Sequence, residues 1–255
     1  MFISEKLVYL AFLKTGCTHT IQLLESVPFL QGKNIGKHNL INEVPANELG
    51  DLSKKIKSGN IRNPWDWYVS LWAFGCMQKG GLYKHTVQKN LFRRIKHPEN
   101  FFLSTKEWKL VYSDVNDVTL FKKWLQMLLN TNRKDVSFFR KTSNSIGYMT
   151  FKYLELYTYN FKKNITLVKD HTELKKFDVD NNFIDYFITN ENLEKDFQIL
   201  INKINTTGSD ISGILGSPKT NRSIRTEYRT YYDNDLIELV REKDKLIIEK
   251  HKYEF

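Results

Sequence analysis

The sequence predicts an α/β protein, with a central parallel β-sheet flanked by helices on both faces. Three observations carry that prediction. The apolar run Leu7–Leu13 reads as a buried strand; it passes through Lys14-Thr15-Gly16 into an amphipathic segment, Ile21-Gln22-Leu23-Leu24. Strand-like and helical segments then alternate, the order that a parallel sheet covered on both faces requires. The 255 residues suffice for one such domain with a substantial core, and no Pro/Gly/Ser-rich linker divides them. A single domain over 1–255 is expected, with 80–160 as a variable, helical, substrate-binding region.

The elements follow in order. Residues 7–13 read as the first strand, buried and parallel. Residues 18–27 read as the following helix, stopped near Pro28. The stretch 32–50 is loop-rich, with Gly32, Gly36, Pro45 and Gly50. A second strand is expected within 52–63. Residues 64–79 read as a helix opened by Pro64, with Trp65, Tyr68, Val69, Trp72 and Met77 in helical register. Residues 85–110 read as irregular, with a basic cluster at Lys89, Arg93, Arg94, Lys96 and His97. Residues 116–130 read as an amphipathic helix, and 145–161 as a helix rich in aromatics. Ile165-Thr166-Leu167-Val168 and Phe183–Thr189 are strand candidates. Glu191–Lys203 is a helix, 205–224 a loop, and Asp233–His251 one long final helix.

Composition narrows the function. A hydrophobic content of 41% excludes a disordered chain, and most of the 17 Phe and 13 Tyr lie inside apolar segments, as core residues do. The only cysteines are Cys17 and Cys76, so there is no disulfide framework and a reducing, cytoplasmic setting is expected. No signal peptide is expected, and no apolar run in the sequence reaches membrane-spanning length. The net charge of +10 implies an anionic partner or a lysine-rich surface. Nucleic acid is not the expected partner, since no zinc spacing, basic-region helix or RNA-binding aromatic motif occurs. No His/Cys/Asp spacing suits a metal.

The chemistry concentrates in two segments. A buried strand, a Gly-bearing turn and a helix start can hold a phosphate, because turn and helix N–H groups converge on the anion and the helix dipole favours negative charge. Here that turn is Lys14-Thr15-Gly16-Cys17-Thr18-His19-Thr20. Taken alone it is equally consistent with an ordinary strand-to-helix turn. Cys17 within it reads as a small filler more readily than as a reactive thiol. The second segment, Ile61-Arg62-Asn63-Pro64 continuing to Ser70, puts a guanidinium at a strand end and a hydroxyl about two helical turns beyond it. An Arg fork and a neutral Ser donor suit one phosphate group.

Together these segments resemble those of the PAPS-dependent sulfotransferases (PAPS is 3′-phosphoadenosine 5′-phosphosulfate). The chain keeps Lys14, Thr15, Gly16, Thr18, Arg62, Pro64 and Ser70 in the family's order, with Leu13 where the family usually has Pro. The segment Glu191-Asn192-Leu193-Glu194-Lys195-Asp196, the stretch from Asn221 to Asp233 and the final Tyr253-Glu254-Phe255 are similar too. The resemblance implies a P-loop NTPase-like sulfotransferase fold and sulfuryl transfer from PAPS, with PAP as product and no metal. It implies that Lys14, Thr15, Gly16, Cys17, Thr18, His19 and Thr20 hold the 5′-phosphosulfate. It implies that Arg62 and Ser70 hold the 3′-phosphate, with Ser223 and Arg225 closing from the C-terminal loop. Trp65 and Trp67 are candidates for stacking on adenine or for core packing.

Lys14 is expected to meet charge developing on the departing phosphate. The acceptor hydroxyl needs a base, and His38 is the choice, since it lies between the two segments and a histidine pKa suits the task. Glu43 is the reserve and Lys37 an auxiliary cation. The acceptor is a carbohydrate or other small molecule, with glycan, lipid, alcohol and phenol all open. Two alternatives stand beside this reading. A P-loop kinase or NTPase needs Lys after its glycine loop, whereas Lys14 precedes Gly16. A non-catalytic module binding anionic glycan or nucleic acid would not need Lys14 and His38 together.

Overall fold

The chain enters its sheet earlier than the apolar pattern suggests. In the computed structural model, which describes residues 1–87, 105–130, 136, 146–205, 208, 212–215 and 225–255, the first strand is β1 (Phe2–Ile3), ahead of β2 (Leu7–Leu10). A tight turn joins them: Ser4 N donates to Leu7 O at 2.8 Å, and Leu7 N donates to Ser4 Oγ at 3.1 Å. So short a connection permits only an antiparallel pair, and Phe2 faces Tyr9 while Ile3 faces Val8. Helix α1 (Cys17–Glu25), β3 (Lys33–Asn34), α2 (Ala46–Leu49) and β4 (Ile56–Ile61) follow.

Next come α3 (Pro64–Cys76), α4 (Gly81–Val87), α5 (Thr105–Val111), α6 (Val118–Leu129), α7 (Tyr148–Tyr157), α8 (Phe161–Asn164) and α9 (His171–Asn181). Strand β5 (Tyr186–Thr189), α10 (Leu193–Ile204), α11 (Asn234–Lys243) and α12 (Lys245–His251) complete the described elements. The protein is mixed α/β, with twelve α-helices and five strands among the described residues. Their contacts group into two compact units: Met1–Asn63 with Lys152–Lys162 and Lys176–Arg222, and Pro64–Phe151 with Lys163–Lys175 and Ser223–Phe255.

The first unit holds the sheet, ordered β3-β1-β2-β4-β5. Strands β2, β4 and β5 are parallel, whereas β1 is antiparallel to both β2 and β3. The expected parallel sheet is therefore corrected to a mixed one, because the opening hairpin adds an antiparallel edge. The strand expected over 7–13 ends at Leu10, although Ala11 and Phe12 stay buried beyond it. One face of the sheet packs Leu7, Tyr9 and Ile188 against Leu23 and Leu24 of α1 and Phe197 and Leu200 of α10. On the other face Phe187 stacks on Tyr153 and meets Tyr157 edge-on, with ring centroids 5.9 and 5.3 Å apart. Tyr157 reaches Gly59 closely: a Cβ there would lie 2.5 Å from its ring.

The second unit is helical and aromatic. Trp65, Trp67, Tyr68 and Trp72 of α3 are fully buried. The Trp72 ring packs edge-on to Phe121, 5.3 Å between centroids, while its Nε1 donates to Val111 O at 2.7 Å. Burying an indole with its N–H satisfied keeps the apolar gain without an orphan donor. Helix α6 is capped by Asp117, which accepts from Thr119 N at 2.8 Å and Leu120 N at 3.2 Å.

Three further expectations are corrected. The final helix is not continuous: it breaks at Asp244, whose carboxylate is buried and accepts from Tyr68 Oη at 2.6 Å, Thr150 Oγ1 at 2.7 Å and Thr150 N at 2.8 Å. Ile165–Leu167 forms a 3-10 turn and no strand; Leu167 is largely exposed, and β-branched residues make a strand only where a neighbour pairs with them. Parts of 85–110 are helical, in α4 and α5; the basic cluster from Lys89 to His97 lies outside the described residues. Among the described residues no helix is long and apolar enough to cross a membrane.

Candidate anion-binding site

The turn after β2 is held from β4. Asn60 lies within β4 and Arg62 directly follows its last residue, Ile61. Arg62 Nη1 donates to Lys14 O at 2.9 Å, and Asn60 Nδ2 donates to Thr15 O at 2.8 Å. A trans peptide points its C=O and the following N–H in opposite directions. With both carbonyls turned toward β4, the N–H groups of Thr15 and Gly16 turn away from it. They lead into the N-terminus of α1, whose first N–H groups have no acceptor within the helix. Gly16 caps that helix at φ 78°, a left-handed conformation suited to glycine. A Cβ there would lie 2.7 Å from Leu193 Cδ1 and 3.0 Å from Asn190 Oδ1, so the turn also needs glycine for space.

Two predicted site residues that are not glycine also hold left-handed backbone, Lys14 at φ 61° and His38 at φ 63°. Such conformations cost of order 1 kcal/mol or more and concentrate at functional sites. Lys37 is exposed and its Nζ donates to Thr18 Oγ1 at 3.0 Å, which sets an ammonium beside the helix start. The helix end, Lys37 and the half-buried Lys14 give this end of the sheet a concentrated positive field.

His38 Nδ1 lies 2.7 Å from Ala11 O. A carbonyl only accepts, so Nδ1 carries the proton and Nε2 the lone pair. The surrounding protein lowers the His38 pKa by desolvating the cation, the Ala11 carbonyl opposing and Lys37 adding to the effect. The side chain is nonetheless exposed overall. The reserve base is already engaged: Glu43 Oε2 accepts from Leu40 N at 3.1 Å.

The remaining predicted residues fall as follows. Thr15 is buried and its Oγ1 donates to Phe12 O at 2.8 Å; Thr20 is buried too, its hydroxyl accepting from Asn60 Nδ2 at 3.1 Å. Both hydroxyls thus serve the turn itself, and Thr18 is the half-buried one beside Lys37. Cys17 is buried, which raises its thiol pKa although Lys37 and Lys14 pull the other way. His19 is buried as well. Ser70 belongs to the second unit, buried on α3. In that same unit Arg225 pairs with Asp66, and Trp65 and Trp67 are wholly buried in aromatic packing. Ser223 lies outside the described residues. Glu191 orders the turn after β5: its Oε1 accepts from Asn63 N at 2.7 Å.

Asn60 was not a candidate in the sequence. No family model, curated protein or solved structure matches the chain.

Proposed function

We propose that the chain is a PAPS-dependent sulfotransferase acting on an acceptor hydroxyl, of a carbohydrate or another small molecule. The observation that carries this reading is the turn at Lys14–Gly16, whose carbonyls are drawn to Asn60 and Arg62 while its N–H groups and the α1 terminus face the opposite way. That donor set fits a phosphate-bearing ligand. Bound PAPS would supply the activated sulfuryl group, and its transfer to the acceptor oxygen leaves PAP.

The chain's own residues divide the remaining work. The backbone N–H groups of Thr15, Gly16 and Cys17 hold the 5′-phosphate. Lys14 stabilises the charge that grows on the leaving phosphate oxygen, and Lys37 adds to the field. Arg62 braces the turn through Lys14 O, and its guanidinium is the group expected to hold the 3′-phosphate. His38 Nε2 takes the acceptor proton, with Nδ1–H held on Ala11 O.

Calorimetry tests the cofactor assignment. Wild type should bind PAP more tightly than adenosine 5′-monophosphate, which lacks the 3′-phosphate, and more tightly than ATP with Mg2+. Arg62→Ala should lose about ten- to a hundredfold in PAP affinity, the worth of a charged hydrogen-bond partner, and lose less for the monophosphate. Equal PAP affinity in both proteins rejects the assignment. Mass spectrometry of an acceptor library incubated with labelled PAPS then names the acceptor class.

A further inference from the structure

The geometry points to Asn60 as a positioning residue that fixes the Thr15–Gly16 peptide in its anion-receiving orientation before any ligand arrives. The inference rests on the reading of the Lys14–Thr20 turn as the 5′-phosphate site, and adds a residue that touches no ligand.

Asn60 is wholly buried, and its side chain is fully satisfied. Its amide nitrogen has two hydrogens; one goes to Thr15 O at 2.8 Å and the other to Thr20 Oγ1 at 3.1 Å. Its Oδ1 accepts from Tyr9 Oη at 2.6 Å. Its own carbonyl accepts from Tyr157 Oη at 2.8 Å. The partners dictate which way the amide faces. Thr15 O can only accept, so nitrogen must face it; the Tyr9 hydroxyl, facing the other amide atom, must then donate. The chain thus runs from Tyr9 through Asn60 to the turn, and each bond polarises the next.

The consequence lies in one peptide plane. If Thr15 O lost its donor, the Thr15–Gly16 peptide could rotate, with little steric resistance on the glycine side. Rotation would carry the Gly16 N–H toward β4 and leave the site short of a donor. A buried amide that locks this rotation removes the ordering cost from the binding step, which is how preorganisation raises affinity. Arg62 braces the preceding carbonyl, whereas among the described residues Asn60 is the side chain bonded to the plane whose N–H belongs to Gly16.

Asn60→Leu is the test, because it keeps the approximate shape and removes the donor that Thr15 O requires without adding a charge. Calorimetry with PAP and with adenosine 5′-monophosphate should show both affinities falling about tenfold or more, by the same factor, with the binding stoichiometry unchanged. In the free protein, 15N–1H spectra should show the Thr15 and Gly16 amides shifted, with Leu120 at the start of α6 unmoved. Unchanged affinity, a loss confined to PAP, or reduced stoichiometry at constant affinity each overturns the inference. Should Asn60→Leu fail to fold, Tyr9→Phe releases the same amide by removing the donor to Oδ1 and should give the same signature at smaller size. A wild type that binds PAP and the monophosphate equally overturns the sulfotransferase reading alone, since both ligands carry the 5′-phosphate and the Asn60 comparison still decides. A wild type that binds neither overturns both.

Discussion

His38 draws its fitness as a base from a single carbonyl, since the Ala11 contact fixes which ring nitrogen carries the lone pair. His38→Ala should lower turnover by roughly a hundredfold, the scale of a general base, and leave PAP affinity near wild type. The wild-type rate should rise with pH along a limb centred below the ordinary histidine pKa, because desolvation by the surrounding protein lowers this one. That limb should vanish in His38→Ala; a variant that keeps both rate and limb rules the residue out. Gly16→Ala makes the complementary point. It sets a methyl 2.7 Å from Leu193 Cδ1 at a positive φ, and should cost about 1–3 kcal/mol in a urea titration. Lys14, Gly16 and Arg62 were legible in the sequence because charge and glycine at a strand end are chemical signals. Asn60 was not, because an Asn within a polar strand says nothing until its buried partners are known.

At the scale of an element, the break at Asp244 governs how the two last helices respond to acid. Burial raises its carboxyl pKa from 3.8 to about 6, outweighing the bonds from Tyr68 and Thr150 and the charge of Lys243. The folded state therefore binds a proton that the unfolded state has released between those values. The stabilisation is complete below the unfolded pKa and is lost as pH rises through the folded one. A shift of this size corresponds to ~3 kcal/mol. Subtracting the urea stability of Asp244→Asn from that of wild type should give a difference that declines from about pH 4 to about pH 6 and then levels; a flat difference would contradict the burial argument. Asp117→Ala, which uncaps α6, should cost about 1 kcal/mol without any such pH signature. The sequence missed the break because Asp233–His251 keeps a helical pattern across it. Only the core that receives the Asp244 carboxylate ends the helix there. It also misread Ile165–Val168, where β-branched residues find no strand to pair with.

For the molecule as a whole, the α/β class was legible because the Leu7–Leu10 strand, the glycine turn and α1 form one continuous pattern. The mixed character of the sheet was not, since two-residue strands such as β1 and β3 leave no periodicity to detect. The net charge of +10 bears on every anion that approaches. PAP affinity should therefore fall several-fold between about 50 mM and about 500 mM NaCl as the field is screened, and a salt-independent affinity would argue against an electrostatic site. The contact of Gly59 with Tyr157 sets a rule of heredity for the fold. Any side chain at position 59 would enter the Tyr157 ring, and any shrinkage of that ring would drop the hydroxyl that holds the Asn60 carbonyl. In a saturation library, position 59 should accept only glycine while Tyr157 stands. A second-site suppressor of Gly59→Ala should arise first at 157, and should restore solubility while leaving ligand affinity impaired.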